Sequence, residues 1–223
     1  MTPIRVVLVD DQALFRAGVR MLLESQADIS FAGEAGDGVQ ARRAVATARP
    51  DVVLMDIRMP LVDGIQATRD ILADAAAGGY APPRVLVLTT FDLDENAARA
   101  IRAGASGFVL KDADPEFLLA AIRTVHQGNA VIAATATREL FAHVQSGAER
   151  AATPAAWFEL TAREREIFRL AARGLSNAEI AEAEFLSEAT VKTHISRVLA
   201  KLGLRDRVQL VVFSYEHELP AEV

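Results

Sequence analysis

Five times over its first 127 residues the chain alternates a short apolar run with an amphipathic stretch, and few folds accept that pattern. Ile4-Arg5-Val6-Val7-Leu8-Val9 predicts a buried strand, and 14–23 predicts a helix with apolar Leu14, Val19, Leu22 and Leu23. A second strand is expected over 29–35 and a helix over 39–48. Val52-Val53-Leu54-Met55 forms a third strand after a Pro50-Asp51 turn, and the helix over 65–76 ends at Gly78-Gly79 and Pro82-Pro83. Strands over 85–88 and 108–110 follow, with a helix over 95–102 between them. Asp114-Pro115 places a capping carboxylate before a proline at the first helical position, opening a helix to about His126. Five strands alternating with five helices imply a five-stranded, parallel, doubly wound α/β sheet with both faces covered.

That topology says where chemistry belongs, because active groups in open α/β sheets lie beyond the carboxyl ends of the strands. The residues there are Asp10 and Asp11, then Asp56, then Thr89, then Lys111. Any one of them alone reads as a solvated turn residue, since Asp and Thr are common after strands. All five at the predicted strand ends make a site. Three carboxylates on one edge repel each other without a cation, and hard oxygen donors suit Mg²⁺. A carboxylate can then act as the nucleophile that accepts a phosphoryl group, with a lysine and a hydroxyl holding its oxygens.

The composition removes competing classes. There are no cysteines, so disulfide scaffolds, cysteine-zinc sites and thiol catalysis are excluded. His126, His143, His194 and His217 are scattered without ligand-like spacing. The N-terminus runs straight into the first strand with no signal-peptide pattern, and no apolar run approaches the length of a membrane span. The expectation is a cytoplasmic protein with no membrane partner. Gly36-Asp37-Gly38-Val39-Gln40-Ala41 imitates a dinucleotide-binding fingerprint, and Asp56 follows about twenty residues on, as that motif requires. The fingerprint normally follows the first strand, however. Here that place holds Asp10-Asp11, whose charge repels a pyrophosphate, and no catalytic domain follows the sheet.

Beyond residue 127 the pattern changes. Residues 128–157 are rich in Ala and Thr and are expected to connect two domains, 1–127 and 158–223, with a short helix near 137–145. The rest is helical. Thr161-x-x-Glu164 and Ser176-x-x-Glu179 are capping boxes, Gly174 ends the first helix, Ser187 caps a longer one, and Gly203 stops it. Short-linked helices after a glycine turn make a helix-turn-helix candidate. In the longer helix Val191, Ile195, Val198, Leu199 and Leu202 share a face, while Lys192, Thr193 and Ser196 lie opposite with Arg197 at the margin. The formal net charge of −6 argues against nucleic acid only if it is uniform, and basic residues collect at Lys192, Arg197, Lys201, Arg205 and Arg207. A solvated basic face remains the alternative.

Val9-Asp10-Asp11, Met55-Asp56-Ile57-Arg58-Met59-Pro60 with Asp63-Gly64, Leu88-Thr89-Thr90, and Gly104 through Lys111 together resemble a response-regulator receiver domain over about residues 4–127. The resemblance implies that Asp56 is the phosphoacceptor, taking its group from a histidine of a sensor kinase. It implies that Asp11, Asp56 and the backbone carbonyl of Arg58 bind Mg²⁺, with Asp10 assisting partly through water. Lys111 and Thr89 would contact the phosphoryl group, and Phe108 stands where the family has a switch aromatic that turns inward as the Thr89 hydroxyl moves. The stretch 73–83 is longer than the family usually has. Leu160-Thr161-x-Arg163-Glu164, Gly174-Leu175-Ser176-Asn177-x-Glu179-Ile180-Ala181 and Ser187-x-x-Thr190-Val191-Lys192-Thr193-His194 resemble a LuxR-type DNA-binding domain over about residues 158–215. Both domains together are similar to the NarL/FixJ subfamily.

That likeness implies a regulator and not an enzyme. Lys192, Thr193, Ser196 and Arg197 would meet promoter DNA in the major groove, and His194 would pack or touch the backbone. A last helix over 206–215 would pair homodimers formed on phosphorylation, drawn from an equilibrium with a closed monomer. Glu182-Ala183-Glu184 is more acidic than the family's usual character there and is expected to weaken non-specific DNA affinity. A receiver acting through protein contacts, with a C-terminal bundle that binds no DNA, is the other reading.

Overall fold

The computed structural model describes residues 2–89, 95–128, 154–217 and 219, with side chains described for all of these except 95–98, 215 and 216. Two compact units, Met1–Ile132 and Ala133–Val223, make up the chain.

In the first unit β1 (Ile4–Val9), β2 (Ile29–Ala35), β3 (Val52–Asp56), β4 (Arg84–Thr89) and β5 (Gly107–Leu110) alternate with α1 (Ala13–Glu24), α2 (Gly38–Ala48), α3 (Gly64–Ala77), α4 (Glu95–Arg102) and α5 (Pro115–His126). The sheet is parallel throughout, in the order β2-β1-β3-β4-β5. Val6 to Val9 and Val52 to Met55 are fully buried, which is why these central strands read as unbroken apolar runs. The order reverses between β1 and β3. Val9 pairs with Met55 there, so Asp10 and Asp56 come to lie side by side at the sheet's carboxyl edge.

Local chemistry sets the helix starts. Asp37, Asp63 and Asp114 cap α2, α3 and α5, their carboxylates accepting from the backbone N–H groups of Gln40, Gln66 and Glu116. The glycine motif that imitates a nucleotide cradle is spent on this packing. Gly38 donates to the Val62 carbonyl at 3.2 Å, and a Cβ on it would sit 2.7 Å from that oxygen.

The expected apolar face of α1 needs correction. Leu14 is 88% exposed, and Phe15, Val19, Leu22 and Leu23 turn to the core. Leu14 lies five residues before Val19, about 140° around the helix, so hydrophobicity alone misassigned it.

The long stretch over 73–83 extends α3 and then folds back, with the Tyr80 N–H on the Ala75 carbonyl at 3.2 Å. The Arg49 guanidinium lies 3.2 Å from the centre of the Tyr80 ring. This segment leads into the amino end of β4, across the sheet from the acidic edge.

The second unit contains α6 (Ala155–Phe158), α7 (Ala162–Ala172), α8 (Asn177–Ala183), α9 (Glu188–Leu202) and α10 (Arg207–Glu216). Its core stacks Trp157 edge-on to Phe168 at 4.9 Å and Phe168 edge-on to Phe213 at 6.2 Å. Ile167, Ile180, Val191, Ile195, Val198 and Leu210 surround them. Both expected capping boxes form, and Gly203 ends α9 in the left-handed conformation with φ 67°. Composition assigns Ala155–Trp157 to the connection, but the structure does not. Ala155–Phe158 is a four-residue helix, too short to carry a periodicity, and Trp157 belongs to the core. The helix expected over 137–145 lies outside the described residues. Among those residues no helix is long and apolar enough to cross a membrane.

Candidate functional site

Parallel strands deliver their final residues to one edge, and the register of β1, β3, β4 and β5 gathers Asp10, Asp11, Asp56, Thr89 and Lys111 there. Asp10 and Asp56 are buried, at 0% and 4% exposure, while Asp11 is open to solvent. Carboxylate oxygens of these three residues all lie within 4.8 Å of one another. Lys111 Nζ stands 2.7 Å from Asp10 Oδ2 and 2.8 Å from Asp56 Oδ2, and 5.0 Å from the centre of the Phe15 ring. The Lys111 N–H donates to the Thr89 carbonyl at 2.8 Å, which anchors the lysine at the mouth of the sheet. Arg58 N–H approaches Asp56 Oδ1 at 3.4 Å.

The Asp63-Gly64 pair stands out in the sequence, yet its spacing does not reveal what the glycine is for. A Cβ on Gly64 would sit 1.9 Å from the Asp56 carbonyl oxygen. Its N–H donates to the Ile57 carbonyl at 2.9 Å. The start of α3 therefore rests directly on the backbone that carries the central carboxylate.

The charges in this pocket do not balance. Burial pushes the Asp56 carboxyl above its ordinary value, and the Lys111 hydrogen bond and charge only partly oppose this while Asp10 adds to it. Burial pulls Lys111 down, but its hydrogen bonds to Asp10 and Asp56 and their charges outweigh that, so its net shift is upward. Three carboxylates thus gather beside one ammonium, which is bound to Asp10 and Asp56, leaving an excess of negative charge on an all-oxygen donor set. Such a set fits a small hard divalent cation. Phe108 on β5, beside Val87, is buried at 4% exposure.

In the second unit Ser187 accepts from the Thr190 N–H and opens α9, with Lys192, Thr193, Ser196 and Arg197 exposed on the side opposite Val191, Ile195 and Val198. His194 is half-buried, in keeping with packing.

The cluster of cations read from the sequence does not form one face. Lys201 Nζ is bound to Glu164 Oε2 at 2.7 Å and to the Glu159 carbonyl at 3.2 Å. Glu164 also accepts from the Thr161 N–H at 2.8 Å, and these contacts lower its pKa to about 2, with the Lys201 hydrogen bond the main cause. Arg207 is buried against the Leu175 and Ala171 carbonyls and Asn177 Oδ1, and its loss of solvent lowers its pKa to about 10. Arg205 lies 3.9 Å from Asp206. Of the five, Lys192 and Arg197 are left as outward cations of α9. The acidic turn is likewise partly answered, since Arg163 binds the Glu184 carboxylate and carbonyl, while Glu182 stays exposed.

Comparison with known proteins matches residues 6–123 to the response regulator receiver domain model and residues 159–214 to that of bacterial regulatory proteins, luxR family. A transcriptional regulatory protein of Bacillus subtilis (strain 168), YxjL, is 43% identical over 216 residues, covering 95% of this chain and 94% of that protein. The DNA-binding transcriptional activator DevR/DosR of Mycobacterium tuberculosis is 38% identical over 213 residues, covering 96% and 94%. Among solved structures, the response regulator ChrA of a heme-sensing two component system is 38% identical with a TM-score of 0.52, covering 99% of this chain and all of that one.

Proposed function

The chain belongs to the response regulators that join a receiver domain to a LuxR-type C-terminal domain, a family of transcriptional regulators, and from that premise we propose that Asp56 is its phosphoacceptor and α9 its DNA-reading helix. The observation that carries this reading is the convergence of Asp10, Asp11 and Asp56 at the topological switch point, with the Lys111 ammonium bound to Asp10 and Asp56. A phosphohistidine of a sensor kinase gives up its phosphoryl group as the N–P bond breaks and a bond from an Asp56 carboxylate oxygen to phosphorus forms. Burial strips water from that carboxylate and leaves it a better nucleophile. Lys111 then meets the new negative charge, and the Thr89 hydroxyl supplies a donor from β4. Asp10, Asp11, Asp56 and the Arg58 carbonyl would hold Mg²⁺, which when bound screens the repulsion between carboxylates and incoming phosphoryl oxygens. Phe108, packed in the neighbouring strand, is the aromatic that reports a movement of Thr89.

The output end follows the same logic. Exposed Lys192, Thr193, Ser196 and Arg197 suit base edges and phosphates of promoter DNA. Phosphorylation shifts the chain toward a homodimer that spans two half-sites. The pairing helix in this reading is α10. A cytoplasmic location goes with the role, because kinase and chromosome meet there.

The direct test is intact mass after incubation with phosphoramidate and Mg²⁺. One phosphoryl adduct is expected on wild type and none on Asp56→Asn. Equal labelling of both proteins would remove Asp56 from its role.

A further inference from the structure

Besides Lys111 a second cation stands at the acidic edge, and neither the strand-end rule nor the chemistry above employs it. Arg16 occupies the inward stripe of α1 beside Phe15 and one turn before Val19, and its side chain is 18% exposed. Its Nη1 donates to the main-chain carbonyl of Asp10 at 2.7 Å. Its Nε lies 3.8 Å from Glu34 Oε1 on β2 and is buried without a hydrogen-bond partner. A guanidinium held there gives up side-chain entropy and hydration, and an apolar residue would fill the stripe at less cost. Packing alone is therefore a poor account of an arginine at this position.

We propose that Arg16 is the positioning residue of the phosphoacceptor pocket, fixing the turn between β1 and α1 so that Asp10 and Asp11 face Asp56 ready for a divalent cation. The proposal rests on the reading of that pocket given above. Asp10 is held from several sides. Its N–H donates to the Ala35 carbonyl at 3.0 Å, Oδ1 accepts from the Gln12 N–H at 2.8 Å, and Oδ2 meets Lys111 at 2.7 Å. Of these contacts of Asp10, the carbonyl bond from Arg16 is the one that comes from the body of α1. Without it the peptide joining Asp10 to Asp11 has a buried oxygen seeking a donor, and its rotation carries the exposed Asp11 carboxylate away from its two partners.

Full-length protein carries the test. Arg16→Met removes the donor and keeps the length, while Arg16→Lys keeps a charged donor. Mg²⁺ affinity is measured by calorimetric titration, and the melting temperature is measured without metal. Arg16→Met is expected to bind Mg²⁺ about tenfold more weakly, and Arg16→Lys to recover most of that loss. Phosphoramidate labelling of the Met variant is expected to be slow at low Mg²⁺ and to approach the wild-type rate at saturation. If the Met variant does not fold, Arg16→Gln takes its place with the same expectation. A folded Met or Gln variant with wild-type Mg²⁺ affinity overturns the proposal, as does a Lys variant as weak as Met. Wild type that binds no Mg²⁺ at all is a different result, because it overturns the pocket reading itself.

Discussion

Glu164 has two jobs that its sequence position shows only in part. As the third residue of α7 it completes the capping box with Thr161, which the T-x-x-E spacing announces. Its second partner, Lys201 at 2.7 Å, comes from the far end of α9 and has no local signature. A sequence shows composition and period but not which acceptor a long side chain reaches, so Lys201 and Arg207 look the same there as Lys192 and Arg197. The consequence can be measured. The carboxyl is held at about 2 against an ordinary 4.5. A depressed folded pKa contributes stability that is present above 4.5 and is lost as the pH falls toward 2. At about 1.4 kcal/mol per pKa unit, the contribution is at most about 3.5 kcal/mol, less what solvent screens at the partly exposed Lys201. Trp157, the single tryptophan, lies in the core of the same unit and reports its unfolding. Urea titrations followed by its fluorescence from pH 5 to pH 2 should show wild type losing this increment, and Glu164→Gln lacking that part of the slope. Parallel profiles for the two proteins would detach Lys201 from Glu164.

At the scale of elements the chain was legible wherever a period or a cap marks the backbone. Strands β1 to β5 fall where the apolar runs lie, and Asp114-Pro115 opens α5 as expected. Legibility failed where tertiary packing decides. Leu14 lies on an outward face of α1 although it is as apolar as Leu22, and Arg16 takes an inward position that hydropathy would not give it. α6 joins its core through one residue, Trp157, within a helix of four. Gly64 belongs to this scale too, because its demand comes from one element resting on another. The motif Asp63-Gly64 marks a helix start, but not that a Cβ there would stand 1.9 Å from the Asp56 carbonyl oxygen. Backbone at that distance cannot give way without moving β3 or α3. Gly64→Ala is accordingly expected to destabilise the first unit by about 2 kcal/mol or more, as overpacking against a rigid neighbour does. It should also slow phosphoramidate labelling at Asp56. Thermal unfolding by circular dichroism, with labelling by mass, checks both, and an alanine variant of unchanged melting temperature and labelling would show that α3 has room to shift.

For the whole molecule the question is how a chain of formal net charge −6 holds a polyanion. Most of the acidity lies away from the outward side of α9, where Lys192 and Arg197 project and Glu188 stands one turn before Lys192, so attraction is local and short in range. Fewer outward cations than the sequence suggests also means fewer displaced counterions. Lys201 is engaged with Glu164 and Arg207 with backbone carbonyls, and neither adds to that face. Each phosphate neutralised on a duplex contributes about 0.9 to the slope of log K against log salt. Lys192→Ala should therefore lower the slope by about 1 per bound protomer if it meets a phosphate. If it meets base edges instead, the slope holds and discrimination between sequences falls. Lys201→Ala should leave the slope where it is while lowering the unfolding midpoint read by Trp157. Fluorescence anisotropy on a labelled promoter duplex between about 50 and 200 mM salt, for full-length wild type and both variants, separates these effects. A lower slope with Lys201→Ala at unchanged stability would return that lysine to the DNA-facing set, and the ion pair with Glu164 would then have to open when DNA binds.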